Sequence, residues 1–129
     1  MSRAKILVVE DEPEVTVTLK LTLKKLGYTV VGCENTAEGA IQKAGEARPD
    51  IVLMDIELAG KMDGVTAADT IRKKYHIPVI YLTAICDTKT LERVGASIPY
   101  GYILKPFRED ELHTVIEIAL DTISKRAKT

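Results

Sequence analysis

Net charge is almost absent from this chain, in which 18 Lys and Arg face 19 Asp and Glu for a formal net charge of -1. The basic residues are also spread along the sequence, so the electrostatic footprint of a nucleic-acid binder is missing and no direct DNA or RNA partner is expected. Long apolar runs are lacking as well. Ile6 to Val9, between Lys5 and Glu10, is too short for the core of a signal peptide, and no run could span a bilayer. A cytoplasmic protein without membrane insertion is the expectation. Cysteine is scarce: Cys33 and Cys86 lie far apart with no second pair and no histidine cluster nearby. That excludes the usual zinc and redox spacings and leaves two reduced, structural thiols. His76 and His113 each stand alone, as solvent or loop histidines do. Linkers, repeats and low-complexity segments are also missing. The 129 residues therefore suit one domain over 1–129, with a core from about 4 to 126. Such a chain buries roughly two-thirds of its unfolded surface without help from disulfides or a structural metal.

What is present is a set of short apolar runs that end on polar groups. Ile51-Val52-Leu53-Met54 is bounded by Arg48-Pro49-Asp50 and ends on Asp55, a carboxylate with no hydrophobic reason to be there. A β-branched-rich run of this kind reads as a strand buried on both faces of a parallel sheet. Ligands of open α/β sheets bind outside the carboxyl ends of the strands, which makes Asp55 a candidate site residue. A helix cap or turn residue is the plainer alternative for Asp55 alone.

Lys5 to Val9 repeats the pattern, ending on Glu10-Asp11-Glu12 before Pro13. Acids followed by Pro at the first helical position predict a helix start. Val15, Val17, Leu19, Leu21 and Leu23 alternate with polar residues as a strand would. Val15, Leu19, Leu23 and Leu26 also share one helical face, with Pro13 to open it and Gly27 to close it, and the helix is preferred. It leaves Val17 and Leu21 as an apolar pair on the surface. Tyr28 to Cys33 predicts a strand, and Asn35 with Glu38 resembles a capping box for a helix to about Ala47. Asp63 is placed to cap a helix running to about Tyr75, after a long loop. Ile77 to Leu82 predicts a fourth strand, with Pro78 early where a missing donor is tolerated, and delivers Thr83. A short, weakly stabilised helix is expected after Asp87, where Leu91 and Val94 are its main apolar contacts. Tyr100 to Leu104 predicts the fifth strand, ending in Lys105-Pro106. Leu112, Val115, Ile116, Ala119, Leu120 and Ile123 then form an uninterrupted helical stripe, with Lys125 and Arg126 at its carboxyl end. Five strands alternating with five helices, on connections too long for hairpins, predict right-handed crossovers and a parallel sheet covered on both faces, a doubly wound α/β fold.

Four strand ends thus share one edge, carrying Glu10 and Asp11, Asp55, Thr83 and Lys105. Carboxylates about 4–5 Å apart repel by roughly 3–4 kcal/mol per pair at an effective dielectric near ~20, so this cluster calls for a cation. With oxygen ligands alone, Mg²⁺ is the natural candidate. A lysine and a hydroxyl beside it supply what phosphoryl transfer requires, and Asp55 becomes a candidate nucleophile.

At Val8-Val9-Glu10-Asp11-Glu12-Pro13, Leu53-Met54-Asp55, Met62-Asp63-Gly64, Leu82-Thr83-Ala84 and Gly101 to Phe107 the chain resembles the receiver domains of two-component response regulators. The motifs occur in that family's order and cover essentially the whole chain. The resemblance implies a (βα)5 flavodoxin-like fold with strand order 2-1-3-4-5. It implies that Asp55 accepts a phosphoryl group from the phosphohistidine of a sensor histidine kinase and that the domain catalyses its own phosphorylation and dephosphorylation. Glu10, Asp11, Asp55 and the backbone carbonyl of Glu57 would match the Mg²⁺ positions. Lys105, followed by a cis peptide to Pro106, would match the phosphoryl-pairing lysine. Thr83 and Tyr102 would match the two switch residues. Family partners, or a second copy in a homodimer, bind at the surface of the fourth helix, fifth strand and fifth helix.

Two departures stand out. The loop from Asp55 to Gly64 is one residue longer than the common pattern, with Ala59-Gly60-Lys61 where many relatives have Met-Pro-Gly. Glu57 is an acid where a smaller or neutral residue is frequent. Two other readings use the same groups. An Mg²⁺-dependent phosphohydrolase attacking through aspartate would resemble its kind in an Asp-x-Asp motif, whereas the second position after Asp55 is Glu57. A pseudo-receiver serving only as a binding module would lack an acid, the threonine or the lysine, and none is lacking.

Overall fold

The alternation of apolar side chains along each strand builds two cores at once, one on either face of a single sheet. The structure is a computed structural model, and it describes residues 4–58, 62–84, 92 and 101–127. In chain order the elements are β1 (Lys5–Val9), α1 (Pro13–Lys25), β2 (Thr29–Glu34), α2 (Ala37–Ala47), β3 (Ile51–Asp55), α3 (Gly64–Tyr75), β4 (Val79–Thr83), β5 (Gly101–Leu104) and α4 (Glu109–Ala127). The five strands are parallel in the order β2-β1-β3-β4-β5. Four helices fall among the described residues; the expected one after Asp87 lies outside them, so the carboxyl-terminal helix is α4.

Leu7 and Val9 of β1, Val52 and Met54 of β3, and Val79 and Tyr81 of β4 pack with Ala40 and Ala44 of α2 and Ala67 and Ile71 of α3. The intervening residues Ile6, Val8, Ile51, Leu53, Ile80 and Leu82 pack with Leu19 and Leu23 of α1 and Leu112, Ile116 and Ala119 of α4. A period of two is what a pleated strand offers a core on each face. Burial on both faces leaves only the strand ends free for polar work.

Segment Pro13–Lys25 is helical despite its strand-like alternation. Leu19 and Leu23 are fully buried while Val17 and Leu21 are 56% and 65% exposed, so the face chosen by tertiary packing overrides local pattern. Pro13 opens the helix, and Gly27, at φ 97°, takes the left-handed turn beyond its end. The cap of α2 is a correction to the sequence reading. Thr36, not Asn35, is the N-cap: its hydroxyl accepts the Gly39 N–H at 3.0 Å, and Asn35 lies one residue upstream. Strands β2 and β4 start one and two residues later than expected, so each reaches one residue further, to Glu34 and Thr83, toward the polar edge. Tyr28 stays buried just outside β2 and donates its hydroxyl to Glu117 Oε2 of α4 at 2.5 Å.

One glycine fixes the site loop to the sheet. The Gly64 N–H donates to the Ile56 carbonyl at 2.9 Å, and a Cβ at Gly64 would stand 1.9 Å from the Asp55 carbonyl oxygen. That obstacle is backbone, which a side-chain rotation cannot relieve. Gly64→Ala should therefore lose about 2–4 kcal/mol of stability in urea unfolding, as overpacking against an immovable group does.

Candidate functional site

Strands β1 and β3 are neighbours in register, Val9 lying opposite Met54, so the residues that follow them emerge side by side. Glu10, Asp11 and Asp55 each present a carboxylate oxygen, and these oxygens lie within 4.8 Å of one another. Glu10 and Asp55 are 2% and 3% exposed, which makes them costly charges unless partners are supplied. The loop provides some. Glu10 Oε2 accepts the backbone N–H groups of Asp11 at 2.9 Å and Glu12 at 3.2 Å, and Asp55 Oδ1 accepts that of Glu57 at 3.0 Å.

The cationic partner comes from the far side of β4. Lys105 follows β5, where its backbone N–H donates to the Thr83 carbonyl at 2.8 Å and its peptide bond to Pro106 is cis. Its ammonium contacts Glu10 Oε1, lies 3.3 Å from Asp55 Oδ2, and reaches to 3.8 Å from Glu12 Oε1. Among the described residues one lysine, Lys105, thus faces the acidic cluster.

The electrostatic consequence falls unevenly on the acids. Burial, together with the Glu10 carboxylate beside it, pushes Asp55 up to about 7, and Lys105 and the Glu57 N–H only partly oppose the rise. Burial raises Asp11 too, with Glu10 adding to it. For Glu10 burial works in the same direction but is outweighed by hydrogen bonds with Asp55, Lys105 and the Glu12 N–H, and its carboxyl is held low. Burial acts to lower Lys105, yet the hydrogen bond to Glu10 and the charge of Asp55 raise it, so its ammonium persists. Glu10 is thus the stronger acid of the pair and Asp55 the weaker one.

The other candidates occupy the same edge. Thr83 is fully buried at the end of β4, paired with Leu104 of β5. Tyr102, half-buried within β5 opposite Tyr81, packs against the α2–α3 side of the sheet. The Glu57 side chain is exposed. Sequence reasoning had not assigned a part to Glu12. Its proximity to Lys105 was signalled only by its place as third acid in Glu10-Asp11-Glu12. Pro106 and Phe107, read only as motif residues, border a groove beside the acids with Val15 of α1.

Comparison with known proteins gives this arrangement a family. Residues 6–117 match the response regulator receiver domain. The chain is 32% identical over 116 residues to the transcriptional regulatory protein PdtaR of Mycobacterium tuberculosis, covering 90% of this chain and 56% of PdtaR. It is 36% identical over 117 residues to the phyllosphere-induced regulator PhyR of Methylorubrum extorquens, covering 89% of this chain and 43% of PhyR. The chain thus spans about half the length of these relatives. Among solved structures, the signal receiver domain of a modulated diguanylate cyclase from Desulfovibrio desulfuricans superposes with a TM-score of 0.93 at 36% identity, covering 97% of this chain and 99% of that one. The receiver domain of Erythrobacter litoralis PhyR superposes at 0.82 with 31% identity, covering 93% and 92%. With its strand order, its acid-and-lysine edge and these matches, the chain belongs to the receiver-domain family of two-component response regulators.

Proposed function

We propose that this receiver is a phosphoacceptor switch in which Asp55 takes a phosphoryl group from the phosphohistidine of a sensor histidine kinase. The observation that carries the reading is a buried carboxylate at a strand end, held 3.3 Å from one ammonium and flanked by two further acids. An Asp55 oxygen attacks phosphorus, the phosphorus–nitrogen bond breaks, and the electron pair of that bond stays on the imidazole. In this reading Lys105 pairs with the transferred group, and Thr83 donates its hydroxyl to it. The Glu57 N–H fixes Asp55 Oδ1 and so orients the attacking carboxylate.

The donor set fits Mg²⁺. It is composed of oxygen alone, and burial together with the Glu10 carboxylate lifts Asp55 to about 7, so added positive charge is favourable there. Glu10, Asp11, Asp55 and the Glu57 carbonyl would hold the ion, which when bound supplies neutralising charge for the phosphoryl oxygens. The exposed pair Val17 and Leu21 on α1 offers an apolar docking face for the kinase. The β5–α4 side, with Leu104 and Ile118 exposed, is the face for an output partner or a second copy. The domain is proposed as one unit over 1–129 with a cytoplasmic location; no described helix is long and apolar enough to cross a membrane.

Intact mass after treatment with a small phosphodonor should show one added phosphoryl group that is absent from Asp55→Asn and from chelator-treated protein. Labelling that survives either change would reassign the acceptor.

The raised Asp55 carboxyl has a stability consequence of definite sign. A folded-state value near 7 against an ordinary value near 4 means that the folded protein binds this proton more tightly than the unfolded chain. Metal-free protein should lose stability as pH rises from about 4 to about 7, by at most a few kcal/mol, and regain none above. Urea midpoints at pH 5 and pH 8 should diverge for the wild type and converge for Asp55→Asn, and Mg²⁺ should lessen the loss at pH 8.

Output is coupled through Thr83. A phosphoryl group on Asp55 offers the Thr83 hydroxyl a charge-assisted hydrogen bond of about 1.5–3 kcal/mol, which shifts a two-state equilibrium by about ten- to a hundredfold. Moving Thr83 inward frees space that the Tyr102 ring enters. Thr83→Ala should retain phosphorylation and lose most of the phosphorylation-dependent amide shift changes around Tyr102. Full changes in the mutant would exclude this route.

A further inference from the structure

At the edge of the sheet opposite the acids, α2 and α3 end and the chain enters β3 and β4. Three locally unfavourable choices meet there around one ring. Tyr75, the last residue of α3, is half-buried against the α2–α3 core. Its hydroxyl end lies on Gly45 of α2, where a Cβ would stand 2.5 Å from the phenolic oxygen and 2.7 Å from Cζ. Glycine inside a helix weakens the helix, and here it makes room for the ring. Arg48 caps α2 at φ 47° and ψ 61°, a left-handed conformation that glycine adopts without strain and arginine rarely adopts. Its guanidinium carbon stands 5.2 Å from the Tyr75 ring centroid, and the Lys74 ammonium stands 5.4 Å from the same centroid. Two cations thus crowd one ring and repel each other.

The neighbouring acids are engaged elsewhere. Asp69 pairs with Arg72 and Lys73, Asp50 Oδ2 accepts the Lys5 N–H at 2.7 Å, and Glu46 Oε2 accepts from Gln42 Nε2 at 3.5 Å. Among the described residues neither Arg48 nor Lys74 makes an ion pair, and both are exposed. Basic residues at a helix end complement its dipole, which accounts for Arg72, Lys73 and Lys74 in the last turn of α3. It does not account for Arg48 in the same way. The last turn of α2 has no basic residue, and one placed there would serve the dipole without a left-handed backbone. Strain kept where a plainer residue would fold better points to a task for the side chain.

We propose that the Tyr75 face docks an acidic segment of a protein partner, two of whose carboxylates meet Arg48 and Lys74. A guanidinium lying over a ring keeps the N–H groups along its edge free for bidentate contact with a carboxylate. The ring also restrains both cations beforehand, so less side-chain freedom is lost when the carboxylates arrive. Nucleic acid calls for a basic track along successive phosphates, and an anionic membrane for apolar side chains to insert; two cations gathered on one half-buried ring suit neither. Docking there needs nothing from Asp55, which lies at the other end of β3.

The test titrates the full chain with a glutamate-rich helical peptide, and with its glutamine counterpart as control, following amide chemical shifts. Changes should centre on Arg48, Tyr75 and His76 with the first peptide and be absent with the second. Arg48→Gly should raise the urea midpoint, because the left-handed position is relieved, and weaken the glutamate peptide about tenfold. Arg48→Lys, which keeps the charge without the fork, should recover only part of that loss. Lys74→Gln should weaken binding about threefold, and added salt should weaken it in every protein. Acetyl phosphate should label all three variants at the wild-type rate; slowed labelling would overturn the assignment by showing that the substitutions act through the fold. Unchanged affinity in Arg48→Gly would overturn it as well. A lowered urea midpoint in that variant would do the same, by making the arginine a structural cap. Duplex DNA or phosphatidylserine vesicles that bind at Tyr75 more tightly than the peptide would overturn the choice of an acidic protein segment.

Discussion

The organising constraint of this molecule is charge crowding: Glu10, Asp11 and Asp55 place carboxylate oxygens within 4.8 Å of one another, with Lys105 as the ammonium among them. Left to itself such a cluster would spread apart or protonate. It does neither fully, because each acid is mounted on an element that cannot retreat. Glu10 follows residues 6–9 of β1 and Asp55 follows residues 51–54 of β3, all buried in the two cores, and backbone N–H groups of Asp11, Glu12 and Glu57 pin their side chains. The residual tension appears as the proton that Asp55 holds to about pH 7. A site already short of positive charge responds strongly when charge of either sign is added, which is the property a chemical switch requires.

Much of this was legible before any coordinates. Apolar runs that stop on Glu10, Asp55, Thr83 and Lys105 say where the strands end, and a parallel sheet sends those ends to one edge. The strand order came from the family resemblance, since periodicity does not choose neighbours. What stayed hidden was hidden for physical reasons. The alternation in Val15 to Leu23 fits a strand as well as a helix, and only the cores that receive Leu19 and Leu23 decide between them. Asn35 and Thr36 are both good caps, and the choice depends on which residue the chain leaves extended; Thr36 lies at φ -132° and ψ 158°. Glu12 gave no sign of its distance from Lys105, because two loops distant in sequence must close before that contact exists. The Tyr28 to Glu117 hydrogen bond, spanning most of the chain, is of the same kind.

The means by which the site reaches beyond itself also follows from how its parts are mounted. Lys105 is held at both ends: its ammonium belongs to the acid cluster, and its backbone N–H is bonded to the Thr83 carbonyl at the end of β4. Thr83 is fully buried, so it has no solvent layer in which to move unnoticed. The opposite flank is tied differently. There the Glu10 N–H donates to the Glu34 carbonyl, joining β1 to β2, yet the Glu34 side chain is not part of the cluster. A change in charge at Asp55 therefore pulls on side chains toward β4 and β5 and only on backbone toward β2. Side chains reorient at far lower cost than paired strands separate, so the proposed signal would be directed to the flank that carries Thr83, Tyr102 and Lys105. The asymmetry is already present in the order β2-β1-β3-β4-β5, because the acids stand on β1 and β3 while their cation arrives from the end of β5.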